Sequence, residues 1–354
     1  MTPHEQKLLQ AAPAFRKALL AWFARRQRPL PWRTEVSAYR TVVSELMCQQ
    51  TQVATVLPYF ERWTARWPDF AALAAAREAE VLAAWAGLGY YTRARNLLAL
   101  AQQVAGRPEP RTAVEWRTFK GVGPYTAAAI ASIAFREPVA VVDGNVVRVL
   151  ARVGGVRETF RDAGAAAKSF AALADALVDP RRPGDHNQAM MELGATVCRK
   201  AAPDCAACPV ARWCAVRGRR DAAVLPRFEP KARKTATVVR ALVRHDGKLL
   251  LRRNPRDAKR LAGMAELPEL ATLGAIAPGP VALVRRRTIG NVTYEETLRE
   301  LPATAAWVRA WTRADDLEWV AVDGLEGAAL TGPHLRWLRE WLSRADRPRR
   351  GTRP

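Results

Sequence analysis

Cys198, Cys205, Cys208 and Cys214 are four of only five cysteines in 354 residues, and they crowd into one short stretch with the spacing C-x6-C-x2-C-x5-C. Scattered cysteines behave as small buried hydrophobes. Four thiols this close in sequence can be wrapped by one irregular loop around a single metal centre. The chain opens MTPHEQKLLQ, without the pattern of a secretory signal, so a reducing, cytoplasmic setting is expected and disulfides are disfavoured. Structural zinc usually carries two C-x2-C pairs, and this run has one. Zinc and a 4Fe–4S cluster both accept four thiolates, and the spacing alone leaves both open. Cys48 stands apart and reads as a packed residue rather than a fifth ligand.

Lys and Arg outnumber Asp and Glu 56 to 34, a formal net charge of +22. An excess this large points to a polyanionic partner, most simply DNA held through its phosphates. A composition biased toward Arg and Ala would give the same number without a partner. No run approaches the ~20 apolar residues of a membrane helix, so no membrane partner is expected. The hydrophobic fraction of 49% is enough for packed cores, and the length is enough for two domains.

Residues 1–215 read as helical. Alanine-rich segments with a helical period recur over 14–26, 39–50, 53–67, 78–85, 93–104, 125–135, 144–153 and 163–177, separated by Gly and Pro. Residues 216–235 are basic and Pro-containing, with no apolar period, and read as a linker. After it the period shortens to that of strands. Segments 237–244 and 248–252 flank His245-Asp246-Gly247, and 281–289 and 292–298 flank Gly290-Asn291, both hairpin signals. A short strand over 319–322 and an amphipathic helix carrying Leu335, Leu338, Trp341 and Leu342 complete an α+β domain over 236–345. The basic tail 346–354 reads as disordered.

Three motifs carry chemistry. In FKGVGPYTAAAI (119–130), Gly121-Val122-Gly123 makes a tight turn and Pro124 opens a helix. Such a turn can offer backbone N–H groups to a phosphate, with Lys120 beside it; an ordinary helix connection has the same letters. In VAVVDGNVVRVLAR (139–152), an apolar run delivers Asp143 to a Gly-Asn turn, where it can cap the next helix or face a cleft as a free carboxylate. In RTVVSELMCQQTQV (40–53), Glu45 lies among apolar neighbours on one helical face with Gln49; it is a surface Glu or a carboxyl with a raised pKa.

SELMCQQTQV, the LPWR at 30–33 before it, GLGYYTRARN (87–96), the Gly-Val-Gly hairpin, Asp143 and the 6-2-5 cysteine spacing together resemble the MutY branch of the endonuclease III, or helix-hairpin-helix, family of DNA glycosylases. The likeness is dense over 15–215. It implies a mainly α helix-hairpin-helix glycosylase domain with an iron–sulfur loop, followed by a smaller α+β Nudix-like domain. It implies one 4Fe–4S cluster on the four cysteines and, as substrate, double-stranded DNA containing a mismatch or an oxidised guanine. A monomer is expected, cytoplasmic and associated with the nucleoid.

By the same resemblance Glu45 protonates a departing adenine, and Asp143, oriented by Asn145, stabilises the sugar cation. That division of labour between two carboxyls suits cleavage of a glycosidic bond. Gln50, beside Thr51, matches a residue wedged into the vacated stack, and Tyr90 with Leu88 matches a wedge at the opposite base. Arg33 and Gln188 would lie near the extruded base; Leu88 and Tyr90 also fit a core, and Arg33 a phosphate contact. Tyr125 stands where strand-cleaving relatives carry a lysine, and Val147 where others do, so no amine is available for a Schiff base and a monofunctional glycosylase is expected. Tyr125 is shared with thymine or uracil mismatch glycosylases, which stay an alternative. The second domain lacks the acidic box of Nudix hydrolases, so no Mg²⁺-dependent pyrophosphatase is expected. Ile289-Gly290-Asn291 stands where the resemblance expects Phe-Ser-His. Asn291 is thus a candidate reader of 8-oxoguanine, or merely a turn residue, with an altered opposite-base preference as the other outcome.

Overall fold

A computed structural model describes residues 3–230, 232–255, 258, 261, 263–274 and 276–345. The tail read as disordered lies outside the described residues. The chain divides into two compact units, one formed by residues 1–77 and 92–230 and the other by 78–91 and 231–354.

The first unit is built from helices that bury apolar stripes against one another. Phe15, Leu19 and Phe23 of helix Ala12–Arg26 meet Leu150 and Val153 of Gly144–Gly154, Phe170 of Ala163–Leu177 and Leu193 of Pro183–Thr196 in one core. Helix starts are set by short polar side chains. Ser37 accepts from Arg40 N at 3.1 Å, Asp69 from Ala72 N at 2.8 Å and Asp162 from Ala165 N at 2.8 Å. All eight expected helices form, but Pro183–Thr196 is one that the sequence reading leaves out. It opens Pro183-Gly184, which reads as a breaker yet suits a first helical turn.

The expected linker 216–235 is corrected over 216–230, which belongs to the first unit. Val216, Ala222 and Leu225 are buried together, Arg152 Nε donates to Leu225 O at 3.2 Å, and Arg227–Phe228 pairs with Thr159–Phe160. Three apolar side chains spread through a basic run carry no recognisable period, yet they are enough to fold it down.

The second unit centres on a mixed sheet in the order Ala265–Glu266, Lys248–Arg253, Lys234–His245, Val292–Leu301, Val281–Ile289, with Leu317–Ala321 also pairing Lys248–Arg253. Lys234–His245 and Val292–Leu301 run parallel over ten residue pairs, from Lys234 opposite Val292 to Val243 opposite Leu301. Side chains alternate between two apolar faces, as strand geometry requires. Leu242, Leu249, Leu251 and Leu298 pack under Trp337, Leu338 and Trp341 of helix Gly332–Ala345, while Ala241, Val243 and Leu250 pack against Trp311 of helix Ala305–Thr312. Both expected hairpins close with left-handed residues, Asp246 and Gly247 in one and Gly290 in the other. Helix Glu78–Trp85 and the turn after it group with this unit, outside the expected 236–345.

Candidate active site

A cleft of about 930 Å³ in the first unit gathers side chains from several helices and the turns between them. Glu45 projects into it from Ala38–Cys48, Tyr125 from the first turn of Pro124–Phe135, Asp143 and Asn145 from the start of Gly144–Gly154, and Glu192 from Pro183–Thr196. Arg28, Arg33, Gln50 and Thr51 line it as well.

The two carboxyls differ in what surrounds them. Tyr125 Oη donates to Glu45 Oε2 and also approaches Met191 Sδ at 3.5 Å. Burial pushes Glu45 up to about 7; the Tyr125 hydroxyl and Arg33 oppose that rise, and Asp143 adds to it. Asp143 caps its helix: Oδ1 accepts from Val146 N at 2.7 Å and Oδ2 from Asn145 Nδ2 at 2.7 Å. Burial raises Asp143 too, against those two donors and Arg148. Asp143 thus holds two N–H donors and a helix N-terminus, where Glu45 holds one neutral hydroxyl. Of the pair, Asp143 is the better anion and Glu45 the better acid.

Asn145 is held in turn, its Oδ1 accepting from Arg148 Nη2 at 2.8 Å, while Arg148 Nε donates to Cys198 O at 2.9 Å. Gly194 lets helix Pro183–Thr196 approach, since a Cβ there would lie 2.5 Å from Asn145 Cβ.

A second charged group closes the other wall. Glu192 is 1% exposed and accepts from Arg28 Nε at 2.7 Å, Arg28 Nη2 at 2.9 Å and Arg33 Nη2 at 2.9 Å. Burial works to raise Glu192, but the two guanidiniums outweigh it and hold the carboxyl below its usual range. Arg33 also donates through Nε to Gln188 Oε1 at 3.0 Å, so the two expected base contacts are bonded to each other. Sequence reasoning missed Glu192 and Arg28, because the helix carrying Glu192 was not read and an isolated Glu has no local signature. Cys48 also lines the cleft, its thiol pushed up to about 12 chiefly by burial.

The Gly121–Gly123 turn precedes the Tyr125 helix. Gly121 has φ +89°, and a Cβ there would lie 2.6 Å from Asn96 Nδ2. Lys120, Gly121 and Gly123 are exposed, and no side chain caps the helix that follows. Val122 departs from expectation: its side chain is buried and its N–H donates to Phe119 O at 3.2 Å. In the second unit Tyr90 is 56% exposed with φ +48°, whereas Leu88 is 5% exposed. Asn291 is exposed, but its Nδ2 donates to Ala232 O at 3.3 Å and its carbonyl accepts from Lys234 N at 3.0 Å, fastening the hairpin tip.

The four loop cysteines line one small cavity with Val149, Arg152 and Val197. Arg152 is 1% exposed; its Nη1 lies 3.3 Å from Cys198 Sγ and donates to Arg199 O at 2.8 Å, and its Nη2 donates to Lys200 O at 2.8 Å. Burial pushes Cys208 up to about 12, opposed by a Val210 backbone contact and reinforced by Cys198, Cys214 and Cys205. Among the described residues no three His, Cys, Asp or Glu side chains stand ready as ligands of a single ion.

Residues 43–174 match the model of the HhH-GPD superfamily of base excision DNA repair proteins. The chain is 49% identical over 218 residues to a rat adenine DNA glycosylase, covering 57% of this chain and 41% of the rat protein. It is 42% identical over 202 residues to the adenine DNA glycosylase of Mycolicibacterium smegmatis, covering 55% of this chain and 68% of that protein. The match thus spans about two fifths of the rat relative's length. Among solved structures, a thermostable thymine-DNA glycosylase superposes with a TM-score of 0.50 at 25% identity, over 58% of this chain and 96% of its own.

Proposed function

The chain belongs to the adenine DNA glycosylase family, and from that premise we propose that it removes adenine mispaired with 8-oxoguanine or guanine by hydrolysing the N-glycosidic bond. The observation that carries this reading is the pair of carboxyls in one cleft, Glu45 raised to about 7 and Asp143 accepting from two N–H donors. A base inside a duplex cannot reach either group, so it must first leave the stack. Protonated Glu45 then gives its proton to a ring nitrogen of the departing base. Asp143, held by Asn145 and the Val146 N–H, stabilises the positive sugar left behind until water adds to the anomeric carbon. Tyr125 orients Glu45 and offers no amine, which supports release without strand cleavage. Glu192, Arg28, Arg33 and Gln188 supply the donors and acceptors for the base.

The uncapped start of helix Pro124–Phe135 and the exposed Gly121 and Gly123 suit a phosphate of the DNA backbone. The four cysteines suit a 4Fe–4S cluster: they are thiol-only and line one cavity, and each iron of a cluster takes one thiolate. Such a cluster would fasten the loop that Arg152 already organises. The second unit, with its sheet covered by helices on both faces, suits a Nudix-like module for reading the opposite base. The bonding of Asn291 to Ala232 and Lys234, at the start of the neighbouring strand, favours the turn role for that residue. Relatedness to a thymine-DNA glycosylase structure keeps thymine release as the second reading; Glu45, an acid suited to a purine nitrogen, favours adenine.

Asp143→Asn tests the proposal. It should abolish base release while binding to adenine-containing duplex persists; loss of both would make Asp143 a structural cap. Borohydride should trap no covalent complex, and a trapped one would overturn the monofunctional reading.

A further inference from the structure

We infer that Arg93 is a positioning residue for base removal: its guanidinium clamps the turn at residues 49–51 on the rim of the cleft and so sets where the exposed Gln50 side chain stands relative to Glu45. This rests on the glycosylase reading above.

Helix Ala38–Cys48 carries Glu45 and ends against Arg93, a side chain only 8% exposed. Arg93 Nη1 donates to Leu46 O at 2.7 Å, to Met47 O at 3.3 Å and to Gln49 O. These are the last carbonyls of the helix and the first of the turn, which have no partner within the helix and favour a cation. The turn beyond is compact. Gln49 N donates to Glu45 O at 3.1 Å and Thr51 N to Cys48 O at 3.2 Å. Between them Gln50 takes φ +57°, a region that residues with a side chain avoid. With the Gln49 carbonyl tied inward to Arg93, the Gln50 side chain is turned out, exposed, at the mouth of the cleft that holds Glu45 and Asp143.

The same helix supports the phosphate turn. Arg93 belongs to Thr92–Val104, and three residues on, Asn96 packs under Gly121 so closely that a Cβ would meet it at 2.6 Å. One face of one helix therefore holds both the Gly121 turn and the Gln50 turn. A base drawn toward Glu45 leaves a gap in the stack, and a polar group fixed at the mouth of the cleft can occupy it only if its turn is rigid. Arg93 is buried away from the reacting atoms and acts through Gln50.

The test compares single-turnover adenine release from two duplexes, one with adenine opposite guanine and one with adenine opposite an abasic site, where the base leaves its stack easily. Arg93→Met should lose about tenfold on the first and stay within about twofold on the second, which also proves the variant folded. Arg93→Lys should recover part of the loss, since an ammonium still reaches some of the carbonyls. Combined with Gln50→Gly, Arg93→Met should add little further loss, because both changes act on one turn. With 2-aminopurine at the target position, wild type should raise its fluorescence and Arg93→Met should not. Equal losses on both duplexes, or none on either, overturn the inference while wild-type release upholds the glycosylase reading. A wild-type chain silent in both release and fluorescence overturns the two together.

Discussion

Glu45 and Asp143 are both carboxyls on helix ends in one cleft, and their neighbours decide what each does. Glu45 is enclosed and meets a phenol, so it keeps its proton up to about pH 7; Asp143 is fixed by an amide side chain and a backbone N–H. Because the acid form of Glu45 is the active one, base release should fall as pH rises through about 7. Glu45→Gln should lower the single-turnover rate by about 10²–10⁴ and flatten that alkaline limb. A limb that persists unchanged in the variant would assign the titration to another group. At this scale the sequence was informative where a motif is local. Glu45, Tyr125, Asp143 and Asn145 sit in short runs with recognisable chemistry. Glu192 and Arg28 are 164 positions apart and meet only in the fold, so nothing in either neighbourhood announces them.

Helix Gly144–Gly154 joins the site to the cysteine loop through Asp143, Asn145, Arg148 and Arg152, and its position depends on contact with Pro183–Thr196. Gly194→Ala should force these helices apart, since the new methyl would lie 2.9 Å from Asn145 O, and should cost about 1–3 kcal/mol in chemical denaturation along with a slower release rate. Unchanged stability would mean the helices yield without strain. Periodicity revealed most helices, and alternation revealed the strands of both hairpins. It failed where apolar residues are sparse, as over 216–230, and where a helix opens with Pro183-Gly184. The grouping of residues 78–91 with the second unit is a tertiary property with no local pattern.

Across the whole molecule charge sets two behaviours. A net charge of +22 should make DNA affinity fall steeply between low and physiological salt, and a flat response would contradict phosphate-dominated binding. Inside the second unit Glu296, 0% exposed, meets Arg240 Nε at 2.9 Å, Arg287 and His334 Nε2 at 3.3 Å. Burial works to raise Glu296, but His334, Arg240 and Arg287 together hold it at about 2. A depressed carboxyl stabilises the fold above its unfolded value near 4.5 and loses that contribution as pH falls toward 2. The resistance of this unit to denaturation should therefore weaken as pH falls through that window, and Glu296→Gln should remove much of the dependence; an identical pH profile in the variant would place the acid sensitivity elsewhere. The cysteine loop is tested by composition, with about four irons and four labile sulfides per chain expected and zinc alone counting against the cluster. The account as a whole turns on single-turnover base release from duplexes with adenine opposite 8-oxoguanine, guanine or cytosine and with thymine opposite guanine. It predicts adenine release, fastest opposite 8-oxoguanine and dependent on Glu45 and Asp143; release of thymine alone, or of no base, would contradict it.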